Sequence, residues 1–302
     1  MADFHFLEGH LFDDNLLYVT AIREDYEDEN KKHTYVLKRS HEVWSRSFVN
    51  NRLQSFVTYS GSDGRTLLAL ANDGEIVRGT PGGAVRGQVD PSEDGPSDLR
   101  HIIRVQRIGD TLFACGMRRQ LYRCDLDGLV WQRVDSGMFD SDGDRASGLW
   151  GVAGPASDRL VAVGLNGEVW CFRNEAWRRS EASTHADLHA ITMWNEHTAI
   201  ICGARGTVLT GWDERWRAID NGGVGSDFWD VAVFQDRIWL AGGRNGLFMV
   251  ENDTVVAAKL PDRMLAAVSS LDVVGGKMLL VGDQQVVLFD GQTWRDLKAP
   301  LT

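Results

Sequence analysis

An internal repeat constrains the fold of this chain more than any other feature, because a fixed period restricts a chain to repeat architectures. The template covers residues 160–170, where an apolar run ends at Gly164 and a second glycine, Gly167, follows three residues later. Similar segments lie at 67–77, 112–122, 199–209, 239–249 and 278–288, and an interrupted first copy begins at Leu16 and resumes at Thr34. The chain therefore contains seven copies of one structural unit.

The period of the repeat identifies that unit. Aligning the copies places the glycine position at Thr20, Ala71, Gly116, Gly164, Gly203, Gly243 and Gly282, with successive copies 39 to 51 residues apart. Propeller blades of four strands have about this length. We predict an all-β fold, a seven-bladed β-propeller of four-stranded antiparallel blades. A single domain would span residues 1–302, with blades at approximately 1–50, 51–98, 99–146, 147–186, 187–226, 227–265 and 266–302.

Each unit reads as four short strands, named a to d. Strand b is apolar at every position, which is typical of a strand that is buried on both faces. Cys115 and Cys202 precede the glycine of this strand, so we expect them in the core and not as nucleophiles. Strand d begins near a tryptophan, which we expect to wedge between neighbouring blades. These tryptophans are Trp44, Trp131, Trp177, Trp216 and Trp294.

Composition and charge restrict the function. The net charge of −11 and the isoelectric point near 5.2 argue against nucleic acid as a partner, since phosphate binding needs a basic face. The sequence has no apolar run of membrane-spanning length and no basic, apolar start typical of a signal peptide. Its four cysteines are widely spread. We therefore expect a reduced, cytoplasmic protein with no membrane contact.

The segment 149–177 carries a family resemblance. Its Ala162-Val163-Gly164 run, followed by Gly167 and by Trp177, resembles the units of bacterial neuraminidase-repeat-like and photosystem-assembly-factor-like propellers. The likeness extends well over residues 100–302 and weakly over the first two units. True neuraminidase repeats carry an Asp box, Ser-x-Asp-x-Gly-x-x-Trp, which does not occur in this chain. The resemblance therefore implies the propeller fold without implying sialidase activity.

Three acidic insertions indicate which face of the predicted propeller is the candidate functional surface. Strands in a meander alternate in direction, so the b–c turns and the connections from strand d to the next blade lie on one face. The first insertion, 22–33, expands a b–c turn, and the insertions at 88–98 and 135–144 expand the exits of the second and third blades. All three would rise from the same face. Long loops on a rigid scaffold often carry function, although acidic loops can also serve solubility alone.

We predict that this acidic face binds a protein partner with a basic surface, since complementary charge accelerates and selects docking. Tyr26, Met138 and Phe139 are the apolar residues that could anchor the contact. The oligomeric state stays open. The candidate partner-binding residues are Glu24, Asp25, Tyr26, Glu27, Asp28, Glu29, Asp90, Glu93, Asp94, Asp98, Met138, Phe139, Asp140, Asp142 and Asp144.

Four arginines in other b–c turns form a second candidate group. Arg118, Arg119, Arg205 and Arg244 could together hold an anion or a carboxylate, although each alone reads as a solvated turn residue. They carry the alternative hypothesis of a glycan hydrolase or lyase at the channel mouth. That hypothesis predicts that Arg119, Arg205 and Arg244 point toward one pocket, together with a carboxylate or histidine of perturbed pKa.

No other motif indicates chemistry. Asp140, Asp142 and Asp144 have the spacing of a calcium loop but lack its glycine and its final glutamate. His185 and His189 have a zinc-protease spacing that works only on a helix, and this segment leads into a strand. We predict no cofactor, no metal and no enzymatic activity. The expected function is protein binding, as a bacterial immunity protein that neutralises a toxin or as an assembly or delivery adaptor.

Overall fold

A computed structural model describes residues 4–28, 31–99, 101–128, 130–138, 147–262, 264 and 267–300. Its strands form seven antiparallel sheets, each made of four strands that are consecutive in the chain. The chain is a seven-bladed β-propeller, as the repeat predicts, and we number the blades in chain order. It divides into two compact units, which are described separately.

Unit 1 joins the chain up to Leu53 with the chain from Asp220. Blade 1 consists of β1 (Phe4–Asp13), β2 (Leu16–Arg23), β3 (Thr34–Ser40) and β4 (Val43–Val49), with the short helix α1 (Glu24–Asp28) after β2. Blade 6 consists of β21 (Asp230–Phe234), β22 (Arg237–Ala241), β23 (Leu247–Glu251) and β24 (Thr254–Ala257). Blade 7 consists of β25 (Ser270–Val274), β26 (Lys277–Val281), β27 (Val286–Phe289) and β28 (Trp294–Asp296).

Unit 2 runs from Gln54 to Ile219 and contains the remaining blades. Blade 2 consists of β5 (Leu53–Gly61), β6 (Gly64–Ala71), β7 (Glu75–Thr80) and β8 (Gly83–Gln88), followed by helix α2 (Pro96–Leu99). Blade 3 consists of β9 (Ile102–Ile108), β10 (Thr111–Gly116), β11 (Leu121–Asp125) and β12 (Gln132–Arg133). Blade 4 consists of β13 (Leu149–Ala156), β14 (Arg159–Gly164), β15 (Val169–Arg173) and β16 (Ala176–Ser180). Blade 5 consists of β17 (Leu188–Asn195), β18 (Thr198–Gly203), β19 (Val208–Trp212) and β20 (Arg215–Ala218).

The second strand of blade 4 is apolar from Leu160 to Val163 because the neighbouring blades of unit 2 cover both of its faces. In β14, Leu160 and Ala162 pack in a hydrophobic cluster with blade 3, whereas Val161 and Val163 pack in a cluster with blade 5. All four side chains are buried. Successive residues of a strand point to opposite faces, so a strand between two cores needs an apolar residue at every position.

Main-chain hydrogen bonds correct the alignment of the repeat in blade 6. The amide of Gly164 donates to the carbonyl of Glu168, and those of Gly116 and Gly203 donate to the residue four positions later in the same way. In blade 6 the donor of this bond is Gly242, to Gly246, so the repeat glycine is not the predicted Gly243. An uninterrupted apolar run has no alternation that fixes its register, and adjacent glycines allow a shift by one residue.

The same one-residue error affects blade 1. Leu17, Val19 and Ala21 pack against blade 7, the preceding blade of unit 1. In blade 3, Leu112 and Ala114, the first and third residues of the repeat, pack against the preceding blade. Ala21, not the predicted Thr20, therefore occupies the glycine position in blade 1.

Recurring tryptophans join neighbouring blades, as predicted. The indole nitrogen of Trp177 donates to the carbonyl of Val134, at the end of blade 3, over 2.8 Å. Trp44 donates to the carbonyl of Leu297, at the end of blade 7, over 3.0 Å. Each indole thus packs at an interface between blades and bonds to the residue that follows the last strand of the preceding blade.

The first and last sheets of the chain pack together within unit 1. The amide of Phe6 donates to the carbonyl of Asp283 over 2.9 Å, and the amide of Leu11 donates to the carboxylate of Asp272 over 2.7 Å. Both sheets take all four strands from their own segment, so side chains and main-chain bonds, not an exchanged strand, join blade 1 to blade 7.

Candidate protein-binding surface

The exit loop of blade 2 folds back on the b–c turn of its own blade. The side-chain amide of Gln88 donates to the carbonyl of Asp73 over 2.6 Å, and the hydroxyl of Ser97 donates to the same carbonyl over 3.3 Å. The amide of Ile102 donates to the carbonyl of Asn72 over 3.0 Å. The insertion 88–98 therefore lies at the predicted end of the blade and is held there by hydrogen bonds.

This loop leaves little room at the turn beneath it. Gly74 has a φ of +85°, in the left-handed region that favours glycine. A methyl group added there would lie 2.9 Å from the ring of Pro96, the first residue of α2. The loop is thus seated closely on the turn.

Of the four carboxylates in this loop, one is hydrogen-bonded within the loop and three are exposed to solvent. Asp90 accepts a hydrogen bond from the amide of Ser92 over 3.0 Å. Burial opposes the ionisation of Asp90, but Ser92 and the nearby Arg133 charge lower its pKa below the usual value. The exposed carboxylates are those of Glu93, Asp94 and Asp98. They form the acidic surface of this loop.

The exit of blade 3 begins beside this loop. Arg133 binds the carboxylate of Asp135 over 2.9 Å and donates to the carbonyl of Asp94 over 3.1 Å, so the two exits are in contact. Burial raises the pKa of Asp135, although Arg133 opposes this effect. Asp135 is 5% exposed and is therefore a structural member of the loop.

Met138 is not the exposed anchor that the sequence predicts. Its side chain is 2% exposed and packs in the hydrophobic cluster between blades 3 and 4. The exit loop turns back towards the core at this point, so an apolar residue in an acidic stretch becomes a core residue. The predicted contacts Phe139, Asp140, Asp142 and Asp144 lie outside the described residues.

In unit 1, arginines pair with two carboxylates of the blade 1 insertion. Arg23 binds Asp25 over 2.6 Å, and Arg52 binds Glu27 over 3.0 Å. Glu24 is exposed. Of the other predicted contacts, Glu29 and the side chain of Asp28 lie outside the described residues.

Tyr26 is likewise covered by its own insertion. Its ring lies under two cations, with Arg23 4.8 Å and Lys31 5.0 Å from the ring centre, and it meets the His33 ring edge-on at 5.0 Å. The side chain is half-buried. These contacts make Tyr26 a packing residue of the insertion, not an open apolar anchor.

The structure does not leave Arg119 available for an anion. Its guanidinium forms two hydrogen bonds of 2.7 Å with the carboxylate of Glu168, from blade 3 to blade 4. Glu168 is 4% exposed and also accepts a bond from the Trp170 indole over 3.2 Å. Arg118 is half-buried and Arg205 is exposed, both in unit 2, whereas the exposed Arg244 belongs to unit 1.

Sequence reasoning missed Glu168 as the partner of Arg119. The two residues are 49 positions apart, and pairing between blades depends on which turns face one another. One sequence feature could have indicated the pairing. Glu168 follows the b–c turn of blade 4 directly, whereas the same position is Gln120 in blade 3 and Thr207 in blade 5.

Within the described part of the chain, no group of three or more His, Cys, Asp or Glu side chains is placed to hold a metal ion. His189 is buried in strand β17 beside the ring of Trp150, so the spacing of His185 and His189 does not fall on a helix. No helix in the described ranges has the length and apolar character needed to cross a membrane.

Comparisons with known proteins give one relative and many structural neighbours. No family model matches the chain. It is 23% identical over 285 residues to the immune protein Tsi7 of Pseudomonas aeruginosa, covering 93% of this chain and 92% of that protein.

The solved structures agree on the fold. The WD40 β-propeller domain of Doa1 superposes with a TM-score of 0.69 at 10% identity, covering 97% of this chain and 94% of that chain. YCF48 bound to D1 peptide gives a TM-score of 0.65 at 13% identity, covering 94% and 90%. At such identities the likeness shows the propeller fold alone, and membership of the neuraminidase-repeat-like family stays a prediction.

Proposed function

We propose that this chain is a bacterial immunity protein, a non-catalytic propeller that binds a cognate toxin protein in the cytoplasm and neutralises it. The observation that carries the proposal is the similarity to Tsi7, which extends over nearly the whole length of both chains. A relationship of that extent concerns the entire propeller and not a shared short motif. A propeller without a catalytic motif is suited to this role, because fold alone does not supply an activity.

The acidic exit loop of blade 2 is the proposed contact surface. Glu93, Asp94 and Asp98 are exposed, and the loop that presents them is bound to its own blade through Gln88 and Ser97. A loop that is already ordered loses less conformational entropy on binding than a flexible one. Three exposed carboxylates on an ordered support favour a partner with a basic surface.

The hydrolase or lyase hypothesis has less support. It needs Arg119 to face a substrate, but the carboxylate of Glu168 already takes two of its donors. Protein binding requires no such group. An adaptor that delivers or assembles its partner would use the same surface, and the experiment below separates it from an immunity protein.

The direct test is co-expression with the product of the neighbouring gene when that gene encodes a toxin. We expect restored growth of the host and a stoichiometric complex in size-exclusion chromatography. Its association rate should fall as salt rises, because exposed charges are screened within about 10 Å at 0.1 M salt. A complex that does not protect the host would indicate an adaptor. If no complex and no protection are observed at low salt, both roles are contradicted.

Matched variants locate the surface. The triple variant Glu93→Gln, Asp94→Asn, Asp98→Asn should slow association. A control triple, Asp158→Asn, Glu175→Gln, Glu196→Gln, removes the same charge from exposed a–b and c–d turns of unit 2. Those turns lie at the opposite end of the strands from the b–c turns. Equal slowing by both triples would show that net charge, not this loop, guides the partner.

A further inference from the structure

Unit 1 contains a second polar site, distinct from the b–c insertion of blade 1. A cavity of about 460 Å³ is lined by three cations, Arg39, Lys277 and Arg295, together with Asp14, His41 and Glu42. Asp14 lies in the a–b turn of blade 1 and Glu42 in its c–d turn, while the lysine and Arg295 come from β26 and β28 of blade 7. The cavity is thus at the end of blade 1 opposite its b–c insertion.

Arg39 is the unusual member of this set. Its side chain is 10% exposed, and its Nε atom has no hydrogen-bond partner among the described residues. Its closest carboxylate oxygen, on Glu42, is 3.5 Å from one terminal nitrogen. Burying a guanidinium without satisfying its donors is costly, so such a group in a polar cavity indicates a missing partner.

Arg39 occupies a blade position at which several other blades have an apolar residue. It pairs across the sheet with Leu17, the first residue of the repeat in blade 1. The corresponding residues of blades 3, 4 and 7 are Cys124, Phe172 and Phe289, which belong to or pack against the cores between blades. An apolar residue therefore fits this position, and arginine is not needed to build the blade.

The cations of the cavity are incompletely neutralised. Lys277 binds Asp14 over 2.8 Å, and Arg295 approaches Glu42 at 3.4 Å. Glu42 also approaches Arg39, and its side chain is 74% exposed, so two guanidinium groups share one surface carboxylate. Counting permanent charges, three cations face two carboxylates in a protein whose net charge is −11.

We propose that this cavity binds a small oxyanion, either a phosphate group or a carboxylate, with the buried Arg39 as its principal ligand. The planar guanidinium presents paired donors that match both kinds of oxyanion. Arg295 and Lys277 supply further charge at the mouth, and Glu42 occupies part of the site when it is empty. The cavity is large enough for an anion that forms part of a small molecule.

Isothermal titration calorimetry of the full chain tests the site with two probes, inorganic phosphate and succinate, at constant ionic strength. We expect saturable binding of at least one probe, and the preferred probe distinguishes the phosphate from the carboxylate class. Arg39→Met should weaken that binding about tenfold or more, as expected for the loss of a charge-assisted hydrogen bond. Glu42→Gln should strengthen it, since the competing carboxylate is removed.

Arg237→Met is the matched control, because Arg237 is an exposed arginine at the start of β22 in the same unit. It should leave the affinity unchanged. If Arg39→Met does not fold, Arg295→Gln, at a half-exposed position, provides the same comparison. Absence of saturable binding for both probes, or equal affinity in the parent and in the cavity variants, would overturn the proposal. Either result leaves the immunity function untouched, because the two sites share no residue.

Discussion

The indole nitrogen of Trp177 lies 2.8 Å from the carbonyl oxygen of Val134, and this hydrogen bond joins blade 4 to the end of blade 3. The ring itself is 8% exposed and packs in the cluster between the two blades, beside Phe172 at 5.0 Å between ring centres. The side chain therefore contributes to the interface through both packing and a directed bond.

Replacing Trp177 separates these two contributions. We expect Trp177→Ala to lower the free energy of unfolding by about 3–5 kcal/mol, because it leaves a large cavity. Trp177→Phe keeps most of the ring and should cost about 1–2 kcal/mol, mainly from the unpaired Val134 carbonyl. Urea denaturation measures both values. Val85→Ala, at an exposed site of the same unit, should change stability by less than about 0.5 kcal/mol. A similar loss in Trp177→Ala and in this control would contradict the wedge interpretation.

His10 makes the contact between blades 1 and 7 sensitive to pH. It lies between two carboxylates, 3.5 Å from Glu8 and 3.5 Å from Asp272. Burial lowers the pKa of His10, but Asp272 and Glu8 raise it by more, to about 10 from an ordinary value of 6.5. A histidine whose pKa is raised on folding stabilises the protein fully below pH 6.5, and this stabilisation is lost as pH rises towards 10.

His10→Gln should therefore destabilise the protein most at low pH. We expect a loss of about 1.5–3 kcal/mol near pH 6, the value of hydrogen bonds to charged groups, and a much smaller difference from the parent near pH 10. Thermal or urea unfolding across this range measures the difference. The exposed His101→Gln should follow the parent at every pH. A loss for His10→Gln that does not change with pH would show that His10 acts only through packing.

The repeat allowed the fold to be predicted because its signal is local and is present seven times. An apolar strand that ends at Gly164 and precedes Trp177 has few other uses, and the structure places both residues as expected. Register was lost at Ala21 and Gly242, since a strand that is apolar on both faces carries no period-two pattern. One extra residue then changes the alignment without changing the composition.

The candidate site was predicted less completely because it depends on contacts between distant residues. Met138 reads as a surface anchor in an acidic loop, but the path of that loop returns it to the core. Tyr26 is covered by Arg23 and Lys31 from its own insertion. The cavity around Arg39 joins residues from opposite ends of the chain, and strand patterns do not record which side chain faces the other blade.

The four cysteines should be unreactive in the folded protein. Cys115, Cys124, Cys171 and Cys202 are all buried. Burial raises the pKa of Cys115 and Cys171 to about 12 and that of Cys124 to about 11, so the reactive thiolate is scarce at pH 8. We expect no fast reaction with a thiol-specific disulfide reagent under native conditions and four equivalents after denaturation. Rapid native labelling of one thiol would contradict the assignment of all four to the core.

Arg119 and Glu168 should act as one structural pair between blades 3 and 4. Both side chains are largely buried, with 17% and 5% of their surface exposed. Removing one partner leaves an uncompensated buried charge, so Glu168→Ala should lower the free energy of unfolding by about 3–5 kcal/mol. Replacing both residues with methionine should cost clearly less than Glu168→Ala, because no unpaired charge remains.

A double-mutant cycle measured by urea denaturation decides between this role and an anion site at Arg119. For a structural pair, the effects of Arg119→Met and Glu168→Met should be strongly non-additive, with a coupling well above the approximately 0.5 kcal/mol seen for independent sites. The exposed Arg205→Met is the control, and its effect should add to that of Glu168→Met. Additive effects of the Arg119 and Glu168 variants would show that Glu168 does not hold the guanidinium. Arg119 would then be available to a ligand, as the hydrolase or lyase hypothesis requires.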